Sequence, residues 1–357
     1  MQQIRQECFT KEYVLAKQRG LQVPDKMLLE KAIRALALLG ALAARDLPFI
    51  FKGGSALLLR LNPLRRLSID IDIIWRDKPA KLLDALKEIA AEPPFHRFEE
   101  YVGKKRRLPA RRHFKFYYKA MEAKYQTPFV LLDVVLEENI YPRLERIPLN
   151  TPFIDTKRNV EVEMPTVAGL LGDKLTAFAP NTVGVPCDTH HSQQVIKQVF
   201  DIGELFNVVG DLTEVRETYA TVFEAERGYR KLRIKPPRAL QDTMQTAFLL
   251  SQIDLPGAVS NETTRLLSRG IEQIGNHVLG ARYDLTAAQI SAAKAACLAA
   301  QLLSRNPVAT LDAIRFSPER VTELLDVQLA GSFEILNQLT ANAEALWYWH
   351  QAQQVMK

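Results

Sequence analysis

Apolar residues along the chain first recur at helical spacing. Leu29, Ile33 and Leu36 follow Pro24-Asp25 at steps of four and three, which predicts a helix with one buried stripe begun by that proline-aspartate pair. Residues 1–46 read as helical throughout. Phe49-Ile50-Phe51-Lys52 then reads as a short strand, Gly53-Gly54 as a turn, and the following residues as a helix start capped by Ser55. From Ser68 the period changes to two: Ile69, Ile71 and Ile73 point one way, Ser68, Asp70 and Asp72 the other. Ala80 to Ala91 reads as an amphipathic helix with Leu82, Leu83, Leu86 and Ile89 inward, stopped by Pro93-Pro94. A strand-like stretch places Phe114, Phe116 and Tyr118 on one face and His113, Lys115, Tyr117 and Lys119 on the other. Phe129 to Leu136 is an apolar strand interrupted by Asp133 alone.

From about Pro165 the helical period takes over, at Thr166–Ala179, Val195–Val209 and Leu212–Arg227. Beyond Pro236 come Ala-, Leu- and Gln-rich helices with breaks near Pro256-Gly257, Gly280, Pro307 and Pro318. The pattern predicts N-terminal helices and an α+β core over 1–164, then a helical domain over 165–357. Trp347-Tyr348-Trp349 is expected to pack inside a helix.

Composition adds little until charge is divided along the chain. Hydrophobic residues make up 47% and charged residues 25% of 357, as in ordinary globular proteins. The longest uncharged apolar run, Ala35–Ala44, is about half a membrane span. The first residues contain no apolar signal core, and three cysteines do not make a disulfide framework. A cytoplasmic protein without a membrane anchor is expected. The net charge of +6 conceals an imbalance: residues 1–120 carry 25 Lys and Arg against 13 Asp and Glu. That excess favours a polyanionic partner.

The candidate chemistry lies in the same third. Asp70 and Asp72 share a strand face, where two carboxylates repel unless a cation sits between them. Asp133, in an apolar strand, needs a cation, a donor or an edge position, because a buried unpaired carboxylate costs several kcal/mol. Gly53, Gly54 and Ser55 would let a phosphate approach the backbone closely. A phosphate cradle followed by paired carboxylates outlines a nucleotidyl-transfer site. The basic run Lys104, Lys105, Arg106, Arg107, Arg111 and Arg112 is a candidate RNA grip, with Tyr117 able to stack on a terminal base. Cys187, His190 and His191 supply only three ligands where a structural zinc site takes four, and no zinc is expected.

The Gly-Gly-Ser turn at Gly53–Ser55, the Arg-x-Ser-x-Asp-x-Asp run at Arg66–Asp72, the lone Asp133, Asp173-Lys174-Leu175 and Lys197–Asp201 together resemble the AbiEii/AbiGii nucleotidyltransferase toxins. These belong to the DNA polymerase-β-like nucleotidyltransferase superfamily, and the resemblance covers roughly residues 27–205. It implies a polymerase-β-like core, a small mixed sheet with helices, followed by a mostly helical C-terminal domain. It also implies the toxin of a bacterial toxin–antitoxin or phage-defence module, restrained by a cognate antitoxin. Such an enzyme would move a nucleotide from an NTP to an RNA acceptor, with tRNA the first candidate. Asp70, Asp72 and Asp133 would hold two Mg²⁺ ions, and Gly54 and Ser55 would face the β- and γ-phosphates. Lys174 would meet charge on the transferred or leaving phosphate; Arg66 and Lys197 are further phosphate candidates, and Asp201 would orient a lysine or touch the nucleotide. Gln198 stands where the family often has an acid, and no Arg follows Lys174 closely, so base choice stays open. Ser55 as a plain N-cap, Lys174 as a solvated helix residue, Lys197–Asp201 as an exposed ion pair and Arg66 as a surface charge are the structural alternatives. At the level of function, the alternatives are a protein or small-molecule acceptor and a catalytically silent RNA- or nucleotide-binding module.

Overall fold

A computed structural model describes residues 3–101, 109–122, 128–324 and 328–356 of the chain. It divides into two units. The first takes residues 1–139, 143–166 and the distant segment 276–281; the second takes 140–142, 167–275 and 282–357.

The first unit opens with α1 (Lys11–Gly20) and α2 (Lys26–Ala43). Asp25 caps α2, its carboxylate accepting from the backbone N–H groups of Met27 and Leu28. Strand β1 (Phe49–Lys52) leads through the glycine corner to the one-turn α3 (Leu57–Arg60) and then to β2 (Asp70–Trp75). Next come α4 (Pro79–Ala90), β3 (Phe95–Tyr101), β4 (Ala110–Tyr118) and β5 (Phe129–Leu136). These strands form one mixed sheet in the order β1-β2-β5-β4-β3. Only the β2–β5 pair is parallel; the other three are antiparallel. A separate hairpin-like sheet pairs β6 (Leu144–Pro148) with β7 (Glu161–Pro165).

One face of the five-stranded sheet is sealed. Ile71 and Ile73, Val130, Leu132 and Val134, and Phe114, Phe116 and Tyr118 are all buried, with Leu29, Ile33 and Leu36 of α2 and Leu82, Leu86 and Ile89 of α4 supplying further core. Leu83 is only half-buried, a quarter-turn off that stripe. The opposite face keeps its polar residues partly exposed.

The second unit is helical: α5 (Val167–Ala177), α6 (Ser192–Phe206), α7 (Thr213–Tyr229), α8 (Pro236–Ser251), α9 (Glu262–Ile274), α10 (Leu285–Leu303) and α11 (Ala343–Met356). Between Leu311 and Ala341 lie short 3₁₀ turns where long helices were expected. Trp347, Tyr348 and Trp349 are buried in α11, and each has a hydrogen-bond partner, Ile314, Phe316 and Ser251 respectively. They pack, as expected of them.

Candidate active site

The register of the first unit's sheet lines up one residue from every strand. Lys52 of β1 pairs with Asp72 of β2, Asp72 with Asp133 of β5, Asp133 with His113 of β4, and His113 with Tyr101 of β3. Paired residues on neighbouring strands share a face, and strands lie about 4.8 Å apart. The row therefore sits on the face opposite the sealed core, with Asp72 and Asp133 as direct neighbours. Asp70 shares that face two residues along, beside Leu131, with the Lys31 ammonium 3.9 Å from its Oδ1. The Asp70 and Asp133 side chains are 44% and 29% exposed, open enough to meet a ligand.

His113 has no place in the sequence reading beyond its strand face. Its Nδ1 lies 2.5 Å from Asp133 Oδ1. A carboxylate only accepts, so in this pair Nδ1 carries the proton and one oxygen of Asp133 is fixed in direction. The alternation of β4 hinted at this by placing His113 opposite the core. The pairing itself required knowing which strand lies next door.

Among the described residues no three His, Cys, Asp or Glu side chains are gathered into a ready-made metal cage. The donor chemistry of the row nevertheless suits a hard divalent cation: carboxylate oxygens from two adjacent strands, partly exposed, with one already oriented.

The glycine corner closes on this row. Gly53 has φ +77° and ψ −163°, a backbone region that side chains resist. A Cβ there would fall 2.2 Å from Asp72 Oδ2. At Gly54 a Cβ would come within 2.7 Å of Arg66 Nη2 and 3.2 Å of Ser68 Oγ. Ser55 departs from expectation. The 3₁₀ turn begins at Gly54, so Ser55 lies inside it rather than capping a helix, and α3 has no side-chain cap. Its hydroxyl is fully buried, donating to the Asp70 carbonyl with Ser68 Oγ 2.9 Å away. Ser55 thus ties the corner to the start of β2. Arg66 is likewise buried rather than a surface charge, its Nη1 donating to the Leu67 carbonyl at 3.1 Å. Its backbone bridges to Val278, and Leu67 N–H donates to His277 O at 2.7 Å.

The remaining candidates separate into two groups. Lys104, Lys105, Arg106 and Arg107 lie outside the described residues. Arg111 is exposed on the Asp133 face, whereas Arg112 falls on the opposite face in a two-point pair with Glu100 at 2.7 and 2.6 Å. In the second unit, Lys174 is not a solvated helix residue: it is buried, with Nζ 2.9 Å from Asp201 Oδ2 and 3.1 Å from Gln198 Oε1. Asp201 is fully buried and pairs with the buried Lys174, so it is not one half of a surface ion pair; Lys197 is half-buried on α6. Asp173, one residue before, accepts from the Tyr141 hydroxyl at 2.7 Å. Asp201→Asn should lower stability by about 2 kcal/mol, the usual loss for a hydrogen bond to a charged group, measured by urea unfolding. Cys187 is half-buried, and His191 is engaged by Asp188 at 2.7 Å. A cavity of about 610 Å³ bordered by Pro48, Arg76, Arg146 and Arg158 opens at the far end of β1 and takes in none of the carboxylates of the row.

Comparison with known proteins follows the same residues. The family described as nucleotidyl transferase AbiEii toxin, type IV TA system, matches residues 36–261. No curated protein sequence matches. Similar solved structures include MenT4, a nucleotidyltransferase toxin from Mycobacterium tuberculosis H37Rv, at 13% identity and TM-score 0.43 over 65% of this chain and 77% of that one. JHP933 from Helicobacter pylori is similar at 14% identity and TM-score 0.29, over 68% of this chain and 92% of that one. The family match spans well over half of the chain, from α2 through the carboxylate row to α8, and on that match the chain belongs to the AbiEii family of nucleotidyltransferase toxins of type IV toxin–antitoxin systems.

Proposed function

We propose that this nucleotidyltransferase uses an NTP and a divalent cation, Mg²⁺, to transfer a nucleotide to an RNA acceptor, with tRNA the first candidate. The observation that carries the reading is the adjacency of Asp72 and Asp133 on parallel strands, with Gly53 packed against the Asp72 carboxylate. Asp70, Asp72 and Asp133 would hold the cations. When bound, these lower the pKa of an attacking hydroxyl and offset charge on the triphosphate.

The chain's own residues do the rest. His113 holds Asp133 in one orientation. With the Ser55 hydroxyl spent on Asp70, the glycine corner would meet a phosphate through its backbone N–H groups. Arg66 backs that corner. The resemblance gives Lys174 the charge on the transferred or leaving phosphate, and its pair with Asp201 supports an ammonium held in one direction. Lys197 is the further phosphate candidate. In the transfer, the acceptor hydroxyl gives its proton to solvent as its oxygen bonds to the α-phosphorus, the bond to the α–β bridging oxygen breaks, and pyrophosphate leaves. A protein antitoxin is the partner that a type IV system implies, and the cytoplasm is where NTP and RNA are met. No helix among the described residues is long and apolar enough to cross a membrane.

The test is to incubate the purified chain with Mg²⁺, total RNA and each α-labelled NTP in turn. Label in the RNA fraction, abolished by EDTA, is the expected result. Label on protein or on small molecules would move the acceptor elsewhere, and no label with any NTP would overturn the reading.

A further inference from the structure

The sheet face that carries the carboxylate row continues across β5, β4 and β3, and its composition there is unusual. At the β3 end of the row, Tyr101 is 55% exposed. Two pairs further along, Tyr117 of β4 stands next to Phe129 of β5 and Arg97 of β3, all half-exposed or more. The Arg97 guanidinium lies over the Tyr117 ring, 3.7 Å from its centre. Lys115 sits between these stations, its ammonium 5.2 Å from the Tyr101 ring and 4.7 Å from Phe129. Lys31 reaches over the same Phe129 ring at 5.2 Å, with Asp70 Oδ1 3.9 Å from its ammonium. On β3 this face carries one acid, Glu99. It is exposed but engaged by the Tyr117 hydroxyl and by Arg97, and these contacts hold its carboxyl below the usual carboxylate range.

We propose that this face is a stacking platform for an unpaired end of the acceptor RNA, with Tyr101 and the Arg97–Tyr117 layer receiving bases and Lys115 and Lys31 receiving the intervening phosphates. The inference rests on the RNA reading above and names its subsite. Two observations point to a single strand rather than a duplex. Flat π and guanidinium planes separated by cations match the alternation of bases and phosphates along one strand. A duplex keeps its base faces stacked internally and offers nothing to such planes. The platform also runs along the sheet into the carboxylate row, where a terminal hydroxyl has to be delivered.

The test measures affinity of the full chain for a short unpaired oligoribonucleotide and for a blunt duplex of the same sequence, in EDTA so that no turnover occurs. RNA labelling by the wild type is measured in parallel with Mg²⁺. Wild type should prefer the unpaired strand. Tyr101→Ala should weaken that binding about tenfold, the loss of one stacked base, with an unchanged melting temperature. Tyr101→Phe should keep wild-type affinity, because it retains the ring. Lys115→Ala should lower affinity and reduce the slope of log affinity against log salt by about one. If wild type labels RNA while Tyr101→Ala and Lys115→Ala bind as wild type does, the platform is overturned and the RNA reading stands. Preference for the blunt duplex overturns it equally. A wild type that labels no RNA removes the RNA reading and the platform with it.

Discussion

Asp72→Asn should abolish nucleotide transfer while leaving the protein folded. The substitution keeps the shape of the side chain and removes the charge that a hard cation requires. Metal-assisted stabilisation of a phosphoryl transition state is worth several kcal/mol, so the rate should fall by at least ~10³-fold. Stability should change little. Asp72 has the like charge of Asp133 as its cross-strand neighbour on one side and Lys52 on the other, and cross-strand charge pairs of opposite effect contribute about equally. In the absence of metal the variant should therefore melt close to wild type. Mg²⁺ should raise the melting temperature of wild type and leave that of Asp72→Asn in place, since a ligand stabilises only the state that binds it. Asp133→Ala should behave alike in transfer. Full transfer activity in Asp72→Asn would end the metal assignment.

Gly53→Ala should be nearly as damaging, through both fold and chemistry. The added methyl would overlap the Asp72 carboxylate at 2.2 Å, and φ +77° is itself unfavourable for alanine. Relief requires Asp72 to swing away or the corner to rebuild. We expect a cost of about 2–4 kcal/mol in urea unfolding together with a loss of transfer of more than ~10²-fold. Gly257→Ala is the matched control for strain alone. Its φ is +79°, nothing lies within 4 Å of the added carbon, and transfer should survive it.

How much of this could be read from the sequence depended on whether the signal was local. Asp25 and the Leu29–Ile33–Leu36 stripe announced α2, and the run from Phe129 to Leu136 gave β5 to the residue, because burial on one face writes itself into consecutive positions. Strand β3 was missed. Phe95–Tyr101 is an edge strand with four charged or imidazole side chains in seven residues, held by its pairing to β4 rather than by an apolar pattern of its own. The hairpin of β6 and β7 was missed on the same ground. In the site, the two-residue step between Asp70 and Asp72 spoke plainly. The pairing of Asp133 with His113 did not, since it arises from strand order. Ser55 misled because Ser before an apolar run usually caps a helix. Here the turn starts one residue earlier and draws the hydroxyl inward to the Asp70 carbonyl. The burial of Arg66 depended on a segment some two hundred residues downstream.

That downstream segment, residues 276–281, has a practical consequence for dissecting the protein. It belongs to the first unit although the chain on either side of it belongs to the second. His277 O accepts from the Leu67 N–H, and Leu279 N–H donates to Arg65 O, each at 2.7 Å. Cutting the gene after Thr166 would therefore yield a fragment that contains every acidic residue of the row yet lacks the backbone partner that seats Arg66 behind the glycines. Loss of activity in such a fragment would report a missing splint, and would say nothing about whether the helical half touches substrate.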